Sequence, residues 1–155
     1  MRKLNLVLLI LLLLMVVFVI YFQWGSNLHT RATVDYQPAD AQPDLIRSMQ
    51  RNAAAGALPQ QFAELPADIA GCTLVTIDVV LTNAGMIDAE WLDISVSPAA
   101  GDIAVYQLSG EGATIRARSS GQVSLQLLTT RPAERRSVRL NYYVYGIEKT
   151  ITVGL

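Results

Sequence analysis

Thr73-Leu74-Val75-Thr76-Ile77-Asp78-Val79-Val80-Leu81-Thr82 alternates with a period of two. Val75, Ile77, Val79 and Leu81 fall on one face, and Thr76, Asp78 and Thr82 on the other, the pattern of a strand half buried against a core. Asn83-Ala84-Gly85 then has the composition of a turn. The rest of the chain repeats the pattern. Trp91 to Ser97 puts Leu92, Ile94 and Val96 inward and is stopped by Pro98; Ile103 to Leu108 lies between Gly101-Asp102 and Gly110. Ala113 to Arg118 turns Ala113, Ile115 and Ala117 in, with Thr114, Arg116 and Arg118 out. Val123, Leu125 and Leu127 follow Ser119-Ser120-Gly121. After the charged loop Pro132-Ala133-Glu134-Arg135-Arg136, Val138, Leu140, Tyr142 and Val144 alternate with Arg139, Asn141, Tyr143 and Tyr145. Gly146 turns the chain into Lys149 to Leu155. Seven short strands with turn signals between them predict an all-β, two-sheet antiparallel sandwich over residues 72–155. No long helical period interrupts them, which excludes a βαβ arrangement.

Upstream the period is lost. Residues 26–71 read as a stalk, punctuated by Pro38, Pro43, Pro59 and Pro66 and filled with alanine and glutamine. Pro43 suits the first position of a short helix through Arg51. Leu45, Ile46 and Met49 share one face of it, either docked on the domain or offered to a partner near the membrane. A second short turn is expected from Pro59 to Leu65.

Residues 1–25 are of another kind. Met1-Arg2-Lys3 precedes an apolar run from Leu4 to Phe22, broken only by Asn5 and closed by Gln23-Trp24-Gly25. No face of such a helix is polar, so it is no ordinary surface helix. The seventeen residues from Leu6 to Phe22 cover about 26 Å. Leu4, Tyr21 and Trp24 extend the run into the interface of a bilayer whose hydrocarbon core is about 30 Å thick. Arg2 and Lys3 hold the N-terminus in the cytoplasm, so the expected product is a single-pass membrane protein, held in lipid through residues 4–24 with its C-terminal domain outside. A cleaved signal peptide is the competing reading. The run is long for one, and no small-x-small triplet follows it. Either way the remainder is exported.

Composition narrows the function. About 130 residues follow the anchor, enough for one domain. A net charge of −1 argues against a nucleic-acid partner. Cys72 is the only cysteine, so no internal disulfide staples the domain, and the residue reads as a small buried hydrophobe. No Asn-x-Ser/Thr sequon occurs. His29, the only histidine, lies far along the chain from any domain serine and from Cys72, which leaves nucleophilic catalysis without a base. Zinc would need several Cys or His ligands, and no phosphate loop or dinucleotide fingerprint is present. The expectation is a non-enzyme with no cofactor and no metal.

The strand ending Leu81-Thr82-Asn83-Ala84-Gly85 and leading into Trp91-Leu92-Asp93-Ile94-Ser95-Val96 resembles the opening of bacterial immunoglobulin-like modules of the adhesion-related, CARDB-like type. The resemblance covers residues 73–155, and the chain departs from it in having no glycine-rich closing motif before Val123. It implies an immunoglobulin-like sandwich used for binding or spacing, with no catalytic residues to carry over.

Two groups remain as candidates. No Lys or Arg falls between Asn52 and Ile115, whereas Asp88, Glu90 and Asp102 do, an oxygen-rich set that suggests calcium. Its spacing matches no calcium loop. Cross-strand pairing with the arginine-rich C-terminal part explains it more simply. The second group is Trp91, Tyr143 and Tyr145 with Arg116 and Arg139. Outward aromatics beside arginine are favoured at binding surfaces. The expected function is a membrane-anchored accessory, scaffolding or binding subunit with a protein partner at the cell envelope. The alternative is a minor pilin or filament-associated component whose N-terminal helix packs into an assembly.

Overall fold

The computed structural model describes residues 2–24, 27–69 and 71–155 and, within the N-terminal helix, the side chains of residues 5–21. Gly25 and Ser26 lie outside the described residues, as do the side chains of Arg2, Lys3, Leu4 and Trp24. The sequence reading of those flanks has no structural counterpart.

Helix α1 spans Arg2–Trp24. From Leu6 to Ile20 its leucines, isoleucines and valines point outward on every side, from 45% exposed at Val19 to 64% at Leu11. Among the described residues no helix is long and apolar enough to cross a membrane. The described side chains cover about 26 Å, short of a hydrocarbon core, so they alone do not carry the expected membrane-spanning segment.

The first departure from expectation follows at once. Leu28–Pro38, read as stalk, is strand β1. It pairs antiparallel with β3, Thr73–Asn83, in unbroken register from Leu28↔Asn83 to Pro38↔Thr73. Its inward positions include Thr30, Ala32 and Val34, of which Ala32 and Val34 pack on the core. These side chains are too small or too polar to announce a strand on their own.

Helix α2, Pro43–Ala54, begins at Pro43 as expected, with Asp44 in its first turn and Arg51 in its last, both favourable to the helix dipole. Ile46 and Met49 are buried, at 3% and 0% exposure. They pack with Ala39, Cys72, Ile103, Ala104 and Leu128, so the helix covers the outer face of a sheet and is not free for a partner. Tyr106 donates a hydrogen bond to Ser48 Oγ across this contact (3.0 Å). The two-residue strand β2, Gln60–Gln61, follows. The stalk expected over residues 26–71 is therefore, from Leu28 onward, largely part of the folded unit.

The remaining strands are β4 (Glu90–Ser97), β5 (Asp102–Ser109), β6 (Ser120–Thr129), β7 (Ser137–Val144) and β8 (Ile147–Gly154). They form one sheet in the order β1-β3-β6-β5-β2 and a second in the order β4-β7-β8. Discounting β2, this is the constant-type immunoglobulin arrangement of four strands facing three. The fold is thus an immunoglobulin-like sandwich of eight strands among the described residues, six of them within residues 72–155, where about seven were expected. The core lies where the alternation put it: Val75, Ile77, Val79 and Leu81 of β3 and Leu125 of β6 on one sheet pack in one cluster with Leu92, Ile94 and Val96 of β4 and Leu140 of β7 on the other.

Residues 113–118 are not the strand their alternation predicts. Gly110, Gly112 and Arg118 all take positive φ, and the segment curls as a loop with one bridge, Ala89↔Ile115. Ile115 still enters the core, filling space beside Gly121 that a Cβ there would need. An inward Ile on a loop mimics one residue of a strand.

Candidate functional site

The two sheets have a common end, at which β1 starts, β3 stops, β4 starts and the β7–β8 turn lies. The chain enters the sandwich here, where the backbone N–H of Ala84 donates to the carbonyl of Asn27 (2.9 Å). Asn83 organises this end. It is wholly buried, and its amide donates to the carbonyls of Ile87 (2.8 Å) and Ile115 (3.2 Å) while its Oδ1 accepts from Gly85 N–H. Asp88 Oδ1 accepts from the N–H of Ala117 (2.7 Å), tying the 110–119 loop to the start of β4.

The candidate aromatic group gathers around the same end. β4 pairs with β7, so that Glu90 faces Tyr143, Asp93 faces Asn141 and Ser95 faces Arg139. Tyr143 and Arg139 therefore share the outer face of the three-stranded sheet. Trp91 sits in the register shift between Glu90 and Asp93 and is 71% exposed, the most exposed large apolar side chain described. Tyr145 is 58% exposed at the tip of the β7–β8 hairpin. Arg116 is exposed on the 110–119 loop, next to the bridge that pairs Ile115 with Ala89. All five candidates thus lie on one face or at its near rim.

Trp91 and Tyr145 also hold costly backbone conformations, with φ of 54° and 51°. A positive φ is unusual for any residue with a Cβ and a clear outlier for a bulky one. Tyr145-Gly146 makes a two-residue hairpin turn with both φ positive, the geometry that favours Asn-Gly. Tyr21, in the last turns of α1, lies near the Tyr145 side chain at the hairpin tip. Lost hydration first, and then the Tyr21 neighbour, raise the Tyr145 phenol above its ordinary value. Sequence reasoning found the aromatics but not their strain, because a positive φ leaves no trace in alternation.

The acidic set does not converge. Asp88 and Glu90 lie at the α1-proximal end and Asp102 at the opposite one. Among the described residues no group of three or more Asp, Glu, His or Cys is placed to hold a metal. Asp102 instead forms a buried ion pair with Arg136, at 2.7 Å, with side chains 0% and 2% exposed. All three guanidinium nitrogens of Arg136 are engaged. Nε and Nη2 donate to Asp102, Nη2 also to Thr129 Oγ1 and the carbonyl of Arg131, and Nη1 to the carbonyls of Pro132 and Glu134. Asp102 Oδ2 also accepts from Ala99 N–H (2.8 Å). Cross-strand pairing of acidic and basic segments was expected; this pair instead joins the start of β5 to the loop before β7, in the interior. Its signal was present as one acid in a turn and one arginine in a loop, with nothing to show that they meet.

A cleft of about 660 Å³ opens at that far end between Tyr36, Pro38, Cys72 and Pro132. Cys72 is buried, and burial, with Asp68 adding to it, pushes its thiol up. A protonated thiol is a poor nucleophile, and the described lining, which includes the carboxylate of Asp40, holds no histidine, lysine or arginine to favour the thiolate.

No family model and no curated protein matches the chain. Among solved structures it is similar to a protein assigned as ApaA from Bordetella pertussis, with 11% identity and a TM-score of 0.47 over 84% of this chain and 92% of that one. It is also similar to a FixG-related protein from Vibrio parahaemolyticus, with 11% identity and a TM-score of 0.42 over 83% and 92%. A third is the GAE domain of GGA2p from Saccharomyces cerevisiae, again at 11% and 0.42, over 62% and 82%. Likeness of this degree carries no functional argument. The immunoglobulin-like class rests on the chain's own strand order.

Proposed function

We propose that this chain is a membrane-anchored, non-enzymatic β-sandwich subunit that presents the outer face of β4-β7-β8 to a protein partner outside the cell. The observation that carries the reading is the placement of Tyr143 and Arg139 on one exposed sheet face, with Trp91 and Tyr145 at its rim. Aromatic and arginine side chains supply most interface hot spots, and no constellation suited to catalysis competes with them among the described residues. The anchor is supported by the length of α1, 23 residues or about 34 Å of helix, and by apolar side chains turned outward all round. A lone water-soluble domain has no use for such a helix. The relation to CARDB-like modules rests on the Asn83-Ala84-Gly85 turn between β3 and β4 and stays part of the proposal.

The test has two arms. Full-length protein should stay in membranes through a carbonate wash, with its C-terminus open to protease from outside. Recovery of a soluble form lacking residues 1–26 would overturn the anchor. Tyr143→Ala and Arg139→Ala should each weaken capture of the partner on detergent-solubilised protein, the tyrosine by about 2 kcal/mol or near thirtyfold. Both should leave the melting temperature unchanged. Early melting of both would make the face structural.

A further inference from the structure

Apart from α1, seven large apolar side chains are exposed among the described residues: Tyr36, Val80, Met86, Trp91, Tyr143, Tyr145 and Ile147. Five of them, from Met86 to Ile147, belong to the end of the sandwich at which the chain enters from α1. Scattered exposed apolar residues need no explanation, but a cluster does. Two of the cluster, Trp91 at a register shift and Tyr145 in the hairpin turn, keep positive φ while their side chains stay largely exposed. Strain held at exposed residues points to function.

The covalent link says what lies opposite. Asn27 is pinned to Ala84, and α1 ends at Trp24. Three residues span at most about 11 Å when fully extended. The headgroup layer on each side of a bilayer is roughly 5–8 Å thick. With α1 in the membrane, this end of the sandwich cannot leave the neighbourhood of the lipid surface. The nearness of Tyr21 to Tyr145 agrees with this, since it places the hairpin tip by the last turns of the helix. Tryptophan and tyrosine are the residues that favour this layer.

We infer that the α1-proximal end of the sandwich seats in the interfacial layer of the membrane, with Trp91, Met86, Tyr145 and Ile147 as its lipid contacts. The inference rests on the anchor proposed above. It takes Trp91 and Tyr145 out of the protein-binding face and leaves that face to Tyr143 and Arg139. The charges around the end are mixed: Glu90, Glu111 and Glu148 stand beside Arg116 and Arg118, all exposed. Contact is therefore apolar, and a zwitterionic surface serves as well as an anionic one.

The chain has two tryptophans, Trp24 and Trp91, which makes the test direct. Full-length protein is reconstituted into phosphatidylcholine bilayers carrying bromine on the acyl chains, either near the headgroup or near the chain end. In Trp24→Phe, only Trp91 emits. Its emission should shift to the blue and lose most of its intensity to bromine near the headgroup, and little to bromine near the chain end. Adding Met86→Ser and Ile147→Ser to Trp24→Phe should reduce that quenching, and replacing part of the lipid with phosphatidylserine should not alter it. In Trp91→Phe, Trp24 reports on the anchor. Trp24 quenched and Trp91 untouched would overturn the seating and leave the anchor standing. Neither quenched would overturn the anchor, and the seating with it. As a second variant, Tyr145→Asn suits the hairpin turn better, so it should raise the melting temperature while weakening Trp91 quenching. Weaker quenching with a lower melting temperature would instead make Tyr145 structural and overturn its assignment to lipid.

Discussion

Asp102→Ala is the most demanding test of how the far end of the sandwich is held. The carboxylate is 0% exposed and sits 2.7 Å from a guanidinium that is itself 2% exposed. Removing one partner of a buried pair leaves a charge without compensation, at about 3–5 kcal/mol. Ala99 N–H loses its acceptor as well, a loss of about 1 kcal/mol that falls within the same range. A total near 4 kcal/mol is a large share of the roughly 5–15 kcal/mol that holds a domain together. At about 4 °C per kcal/mol for a domain of this size, the melting temperature should fall by about 15 °C. Circular dichroism of the detergent-solubilised full chain, followed at a β-sheet wavelength, measures it. Glu134→Ala is the control. Its ion pair with Arg131 is long (3.8 Å) and exposed, and such pairs contribute at most about 1 kcal/mol. Arg136→Lys should not rescue the site, because an ammonium cannot reproduce the fork that reaches Asp102, Thr129 and three carbonyls. If Asp102→Ala melted within a few degrees of Glu134→Ala, the buried clasp would not be holding the 129–136 loop.

The packing and the burial of Cys72 set the remaining outcomes. Val79 and Val80 are neighbours with 1% and 40% exposure, so Val79→Asp should unfold the domain while Val80→Asp, cross-strand from Arg31, changes its stability by less than about 1 kcal/mol. Met49→Ala should cost about 2–5 kcal/mol in a denaturant titration, and a fragment beginning at Cys72 should fail to fold because it lacks both β1 and the helix covering Ile103 and Leu128. Cys72 keeps its proton past the 9.0 of a free thiol. The folded state therefore binds more protons than the unfolded one as pH rises beyond that value, and stability falls there. Cys72→Ala should flatten that slope, and iodoacetamide should label the folded wild type only slowly.

The alternation of Val75 to Leu81 and of Val138 to Val144 was enough to place the inner faces of both sheets, because a strand with one buried face writes its period into the sequence. Edge strand β1 writes it faintly. Thr30 and Ala32 line its inner side, and Pro38 at its end reads as a breaker. Residues 113–118 erred in the other direction, since Ala113, Ile115 and Ala117 alternate without forming a strand beyond the single Ala89↔Ile115 bridge. Of the candidate site, Trp91, Tyr143 and Arg139 were legible as outward residues on strands that pair. The strain at Trp91 and Tyr145, and the meeting of Asp102 with Arg136, depend on dihedrals and long-range contacts that no local pattern records.

The register of β1 has a mechanical consequence. The strand runs from the point where the chain enters the sandwich to the opposite end, paired with β3 along all eleven residues. A pull on the chain ahead of Leu28, resisted anywhere lower in the domain, acts along the axis of β1. The hydrogen bonds to β3 lie across that axis, so the load is shared by the whole ladder in shear, and they cannot open one at a time from the end. Forced unfolding is governed by the unfolding rate and not by the equilibrium free energy. The same β1–β3 pairing in a hairpin pulled apart sideways would peel from one end at far lower force. Here the attachment point makes the edge strand the element that must slip as a unit before the sandwich can open.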